Sequence, residues 1–278
     1  MSDDFLVKMA AQSRIRCTQA QQQRSMTDWM NVIAADLGES SPATLTVNGF
    51  GVIAEVKRRS PALGELNQQA LDIADRVGVY AAQGASAISV LTEPEYFSGE
   101  LTDLRTAKAY SQHVPLMRKD FIVDPYQVIE GKAYGASGVL LIVRMLDRST
   151  IRACLKIALQ LNMFVLLECF DETDIQQMGA LLDVWNGPKE HCLIGVNSRD
   201  LATLRVIPTQ LERLVGLLPR DFMKVAESGL ETPEDAYRLA AAGYDLALVG
   251  TALMRANQPG NLLQAMVKSG QQGTAARL

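Results

Sequence analysis

Eight short apolar runs recur along the chain: VIAEV, AISVL, VPLM, GVLLIV, FVLLE, LIGVN, KVAES and LALVG. They start near positions 52, 87, 114, 138, 164, 193, 224 and 246, roughly 22 to 35 residues apart, the length of one strand-plus-helix unit. Amphipathic stretches fill the intervals. In LDIADRVGVYAAQGA the apolar positions Ile73, Val77 and Tyr80 have helical spacing, and the stretch ends near Gly84. In TPEDAYRLAAAG, Thr232 is the predicted N-cap, Pro233 the first helical residue, and Glu234 and Asp235 an acidic first turn, with the end at Gly243. QGASAISVL, YGASGVLLI and AGYDLALVG share a phrase in which Gly closes a helix and a strand follows at once. Eight such units predict an α/β chain, a single (β/α)8 TIM barrel with an N-terminal helical extension. The alternative is an open doubly wound sheet, which usually carries a Gly-rich turn after its first strand; none is present here.

The barrel gives meaning to an oddity in the first strand. VIAEVKRRSP begins as a buried strand yet contains Glu55 and Lys57. Side chains alternate across a strand, so Val52, Ala54 and Val56 face the helices while Ile53, Glu55 and Lys57 face the barrel interior. Barrel chemistry sits at the C-terminal strand ends, where the last two of these stand. A structural ion pair plugging the barrel is the plain reading of this strand alone. Other strands end the same way. Lys119 closes the third, Glu168 the fifth, Asn197 and Arg199 the sixth, Glu227, Ser228 and Gly229 the seventh, and Gly250 and Thr251 the eighth. Buried charge is costly unless paired. Its repetition at one end of the barrel points to one shared site. The loops after strands 7 and 8 are where many barrels hold phosphate through backbone N–H groups. Ser228-Gly229 and Gly250-Thr251 lie there, with Ser60 across the closure. Those features alone suggest a small phosphorylated substrate.

Composition limits the remaining classes. The chain of 278 residues is 48% hydrophobic and 21% charged, enough for a full core, and its net charge of −4 gives no reason to expect nucleic acid or a membrane surface as partner. No apolar run approaches the roughly 18 residues of a spanning helix, and MSDDFLVKMAAQ lacks the order of a signal peptide. The four cysteines, Cys17, Cys154, Cys169 and Cys192, form no CxxC pair, which fits reduced thiols and a cytoplasmic location and gives no sign of a zinc site. With only two histidines, His113 and His191, acid–base chemistry falls to Lys and Glu.

VIAEVKRRSP, SVLTEPEYFSGEL, PLMRKDFIVDPYQV, VLLIV, LLE, IGVNSRDL, AESGL and LALVGTALM, in this order from about Phe50 to Met254, resemble indole-3-glycerol phosphate synthase of the tryptophan pathway. KDFIVDPYQ and the N-x-R-D-L of strand 6 are long, specific motifs. The resemblance implies a carbon–carbon lyase that closes the ring of 1-(2-carboxyphenylamino)-1-deoxyribulose 5-phosphate, releases CO2 and water, and uses no metal and no organic cofactor. By resemblance, Lys119 is the general acid at the substrate carbonyl. Lys57, paired with Glu55, holds the anthranilate carboxylate and serves in dehydration. Glu168 stabilises positive charge or accepts a proton. Asn197, Arg199 and Ser228 position substrate with Glu227 beside them, and Ser60, Gly229, Gly250 and Thr251 form the phosphate site. Phe97 and Phe121 form an aromatic wall. Partial burial and like-charge neighbours are expected to lower a lysine pKa toward neutrality.

The chain departs from that pattern at several positions. Ser198 stands where a second Asn is common, Cys169-Phe170 where a small residue and His are common, and Leu63 where Lys is frequent. Thr251 replaces a usual Ser, Glu100 a Ser and Ser137 an Asp. These departures leave two other readings open: the same chemistry on a substituted anthranilate in a secondary pathway, or a non-catalytic phosphate-ligand-binding barrel. The expected organisation is residues 1–49 as a helical extension packing on the barrel, 50–268 as the catalytic barrel and 269–278 as a flexible tail. In the extension, one helix spans DDFLVKMAAQSRIRC and a second is capped by Ser25 and ended by Gly38, with SSPATLTVNG as a linker. The chain is expected as a monomer or weak homodimer.

Overall fold

The computed structural model describes residues 2–35, 45, 47–60, 64–65, 72–182, 185–200 and 203–277. Gly38, Leu63 and most of the expected linker lie outside them, as does the side chain of Ser60. Eight parallel strands close into a barrel: β1 (Gly51–Val56), β2 (Ala87–Leu91), β3 (Leu116–Lys119), β4 (Gly138–Ile142), β5 (Phe164–Cys169), β6 (Cys192–Asn197), β7 (Met223–Glu227) and β8 (Leu246–Val249). β1 pairs with β2 through Ile53 and Ala87 and closes on β8 through Gly51 and Leu246. Each expected run became a strand.

Two cores follow from the alternation of side chains. Ile53, Met117, Leu140, Phe164, Leu166, Leu193, Val225 and Leu246 fill the barrel interior. Val52, Ala54, Val56, Val139, Leu141 and Ala247 pack outward against the helices. Size complementarity sets the inner packing. A Cβ on Gly138 would stand 2.3 Å from the Phe164 ring, so the small residue on β4 admits the large one on β5.

Local chemistry fixes the helices as expected. Counting from the chain start, they are α1 (Ser2–Gln23), α2 (Met26–Ala35), α3 (Ile73–Ala82), α4 (Pro94–Phe97), α5 (Leu101–Tyr110), α6 (Pro125–Ala133), α7 (Arg148–Gln160), α8 (Glu172–Leu182), α9 (Gln210–Val215), α10 (Pro233–Ala242), α11 (Thr251–Arg255) and α12 (Pro259–Arg277). Thr232 caps α10 in a reciprocal capping box with Asp235. Ser25 and Asp28 do the same for α2: the Asp28 amide donates to Ser25 Oγ at 3.1 Å, and the Ser25 amide to Asp28 Oδ2 at 3.1 Å. One expectation is corrected. The last residues, expected as a flexible tail, continue α12 through Arg277. Gly270 and Gly273 look like helix breakers in sequence, but Cβ atoms there would stand 2.1 Å from the Phe50 ring and 2.2 Å from the Tyr237 carbonyl oxygen. These glycines are contact points, and the contacts hold the helix to the barrel.

The extension docks at the barrel's C-terminal end. Ser13 of α1 donates to the Phe121 carbonyl, and Arg16 donates to Asp120 at 3.1 Å. Trp29 of α2 donates to the Tyr126 hydroxyl at 2.9 Å. No helix among the described residues is long and apolar enough to cross a membrane.

Candidate active site

Glu55 is the hub. It is 3% exposed, and its two oxygens hold two different ammonium groups: Lys57 Nζ lies 2.8 Å from Oε1 and Lys119 Nζ 3.5 Å from Oε2. Lys57 comes from the same strand, two residues on; Lys119 comes from β3, two strands away. Burial by itself would raise the Glu55 carboxyl, but Lys57 and Lys119 outweigh it and hold it down at about 2. Burial would likewise lower the Lys119 ammonium, but Glu55 first, then Glu168, hold it up at about 12. This corrects the expectation of a lysine lowered toward neutrality, because the neighbours that matter to Lys119 are acidic. Space for the pair comes from β8's end. A Cβ on Gly250 would stand 2.3 Å from Glu55 Oε1 and 3.0 Å from Lys57 Nζ.

A second group faces the first. Asn197 at the end of β6 donates from Nδ2 to Glu168 Oε1 at 2.7 Å, and its own Oδ1 accepts the Arg199 amide at 3.0 Å. Asn197 therefore links a carboxylate to the following loop. Arg199 in turn donates to the Leu204 carbonyl at 2.7 Å, which folds that loop back toward the barrel. Glu227, at the inward end of β7, is 1% exposed, and neither of its oxygens receives a hydrogen bond. Beyond it the chain turns sharply, with positive φ at Ser228 (67°) and Gly229 (79°). Only glycine takes this region freely, so Ser228 holds strain on the order of 1 kcal/mol. The turn itself is tied by Ser198, whose hydroxyl donates to the Ser228 carbonyl at 3.2 Å.

These groups line one cavity of about 640 Å³. Glu55, Lys57, Phe97, Lys119, Phe121, Glu168, Asn197, Arg199, Glu227, Ser228, Gly229, Gly250 and Thr251 all contribute to its wall. The side chain of Ser60 lies outside the described residues; its backbone pairs with Gly64 in a small hairpin after β1. Phe97 and Phe121 stand side by side, their ring centres 6.4 Å apart, and Phe5 of α1 meets Phe121 edge-on at 6.0 Å. The cavity thus has an aromatic side, a charged floor and a glycine-bearing rim after β7 and β8.

A family model described as indole-3-glycerol phosphate synthase matches residues 6–266. The chain belongs to the indole-3-glycerol phosphate synthase family. A relative so named from Nocardioides sp. is 44% identical over 218 residues, covering 78% of this chain and 80% of the relative. One from Lacticaseibacillus casei is 38% identical over 268 residues, covering 94% and 98%. Among solved structures, 3-hexulose-6-phosphate synthase from Salmonella typhimurium superposes with a TM-score of 0.62 at 14% identity, covering 81% of this chain and 100% of that one. Thiamine phosphate pyrophosphorylase from Pyrococcus furiosus gives 0.58 at 16%, covering 81% and 98%. These two likenesses concern the fold alone.

Set in this family, the cavity also contains residues that sequence reasoning did not assign. Leu140 and Ile142 of β4 line it, and strand alternation alone could have found them. Phe5 and Leu6 of α1, and Leu204, Arg205 and Val206 of the loop after β6, also line it, but they arrive by tertiary packing that leaves no local signal. Of the departures from the family pattern, Phe170 lines the cavity, while Cys169 faces outward against Met178. Gly195 was also missed. It faces inward on β6, where a Cβ would stand 2.1 Å from Glu227 Oε1.

Proposed function

We propose that this chain carries out indole-3-glycerol phosphate synthesis, the carboxy-lyase step of tryptophan biosynthesis, through the residues gathered at the barrel mouth. The observation that carries the reading is the division of charge in the cavity. Two lysines converge on Glu55, and an Asn-held carboxylate stands across from them, beside an aromatic wall. A volume of about 640 Å³ lies within the range of small-molecule sites. The anthranilate ring packs against Phe97 and Phe121. The phosphate meets the backbone of Ser228-Gly229 and Gly250-Thr251, with Ser60 joining from the loop after β1.

The chemistry follows from these placements. Lys57 holds the anthranilate carboxylate. Lys119 carries a proton at neutral pH and gives it to the substrate carbonyl oxygen as the ring carbon bonds to the carbonyl carbon, so the oxygen becomes a hydroxyl. The ring and its nitrogen are then cationic, and Glu168, fixed by Asn197, lowers the energy of that charge. The bond to the carboxylate breaks, its electron pair restores the aromatic ring, and CO2 leaves. The hydroxyl then departs as water with a proton from a lysine. A carbon-bound proton passes to a carboxylate, which completes the indole double bond. A binding protein would have no need of two charged lysines sharing one carboxylate. The same reading includes a small phosphorylated substrate as partner, a monomeric or weakly dimeric chain and a cytoplasmic location.

The test is an indole fluorescence assay with 1-(2-carboxyphenylamino)-1-deoxyribulose 5-phosphate on wild type and Lys119→Ala. The expected loss in kcat is on the order of 100- to 10,000-fold, the usual contribution of a positioned acid. A folded wild type that binds this compound and does not turn it over would overturn the reading.

A further inference from the structure

Among the described residues, Glu227 is the one carboxyl of the cavity with both oxygens buried and no donor on either. A buried carboxylate without partners is costly, and such groups keep their proton instead. Glu168 on β5 pairs in register with Gly195 on β6, and Glu227 Oε1 sits over that same glycine, where a Cβ would stand 2.1 Å from it, so the two carboxyls meet across β6. Two ionised carboxylates cannot bond to each other; a neutral one and an ionised one can. Glu168 already receives Asn197 Nδ2 on Oε1, whereas Glu227 receives no donor. The proton therefore belongs on Glu227.

We propose that Glu227 is a neutral acid in the substrate-free protein and donates its proton in a hydrogen bond to Glu168, so that the pair carries one negative charge. Glu227 is then a positioning residue. It fixes the second oxygen of Glu168 as Asn197 fixes the first, and it aims a single carboxylate at the developing cation. Other charges facing it do not reverse this. Glu55 on β1 disfavours a further anion, and Lys119 on β3 favours one, but the Lys119 ammonium is already bonded to Glu55. Outside the barrel wall, Cys169 and Tyr244 lie close enough to interact with Glu227, and both are pushed up by their own burial first, so neither supplies a charge to it. The direction for Glu227 itself agrees: burial first, then Glu168, raises its carboxyl well above the ordinary 4.5. The catalytic part of this inference rests on the proposed function; the protonation part does not.

Three measurements test it. The infrared difference spectrum of wild type minus Glu227→Gln at neutral pH is expected to contain the C=O stretch of a protonated carboxyl. The thermal stability of Glu227→Gln relative to wild type is expected to be unchanged near pH 4 and to improve as pH rises. Above 4.5 the unfolded chain releases this proton while the folded wild type retains it, which costs wild type stability. In turnover, Glu227→Ala is expected to lose on the order of 10- to 100-fold in kcat, the worth of a hydrogen bond to a charged group, and Glu227→Gln to recover most of that loss because its amide still donates to Glu168. Absence of the infrared band, or a Gln variant less stable than wild type at neutral pH, would overturn the shared proton. A Gln variant no better than Ala in kcat would overturn the positioning role. Lack of turnover by wild type would sink the proposed function and leave the infrared result standing.

Discussion

Arg118 and Lys119 are neighbours on β3, both cationic, and strand alternation sends them to opposite sides of the barrel wall. Arg118 points outward into a closed polar network. Its guanidinium donates to the Gln127 carbonyl at 2.7 Å, Glu130 at 3.0 Å, Asp120 at 3.2 Å and Thr92 at 3.4 Å. Asp120 also accepts the Phe121 amide on Oδ1 at 2.8 Å and the Thr92 hydroxyl on Oδ2 at 2.8 Å. Lys119 points inward to a set that is not closed. It shares Glu55 with Lys57, and Glu227 nearby has no donor at all. Both clusters are buried and rich in charge. The outer one has spent its hydrogen-bonding capacity on structure; the inner one keeps capacity for a substrate. Completeness of pairing, more than burial or charge, distinguishes the two.

The sharpest way to break this comparison is to remove each cation in turn. Arg118→Ala leaves Asp120 and Glu130 buried with a partner lost, and is expected to cost about 3–5 kcal/mol of stability. Protein that remains folded should keep a kcat close to wild type. Lys119→Ala should behave the opposite way, with kcat collapsing and the unfolding midpoint moving little. Chemical unfolding curves run beside the fluorescence assay separate the two. If Arg118→Ala loses kcat as steeply as Lys119→Ala while folded, the outer network takes part in catalysis and the distinction fails.

A smaller effect is expected at Gly250, which lies at the inner cluster's edge. Its φ of −116° is open to any residue, so alanine there acts through crowding alone. The added Cβ would meet Glu55 Oε1 at 2.3 Å and Lys57 Nζ at 3.0 Å, forcing the pair apart or toward the cavity. Gly250→Ala is expected to lower kcat/KM on the order of 100-fold, since misplacement by about 1 Å costs that much in a positioned site. An unchanged kcat/KM would mean that the Glu55–Lys57 geometry is not what the reaction requires.

How much of this was legible in the sequence depends on the range of the cause. The inward set Ile53, Glu55 and Lys57 followed from a period of two within one strand. The Thr232 and Ser25 caps followed from residues three apart. What failed to show needed partners distant in the chain. The charged state of Lys119 depends on Glu55 and Glu168, which arrive from two other strands; from one strand only burial was visible, and burial points the wrong way. Gly195 reads as a neutral position within LIGVN until the closed sheet brings Glu227 over it. The end of α12 read as a tail because chain termini commonly fray, whereas in the fold Gly270 and Gly273 admit Phe50 and Tyr237.

The gentlest test concerns the point where the N-terminal extension touches the outer network. Arg16 of α1 lies 3.1 Å from Asp120 and 3.6 Å from Glu93, with a quarter of its side chain exposed. Glu93 accepts the amides of Glu95, Tyr96 and Phe97, at 3.0, 2.7 and 3.2 Å, so it sets the backbone that presents Phe97. Asp120 accepts the amide of Phe121. Arg16 therefore braces the anchors of both phenylalanines without touching a reacting group. Arg16→Ala removes one partly solvated charged contact and should raise KM about 3- to 10-fold with kcat nearly constant, because it loosens binding of the aromatic ring equally before and during reaction. A fall in kcat with KM unchanged would place α1 in the chemistry itself, and the boundary between the closed outer cluster and the open inner one would have to be redrawn through Asp120.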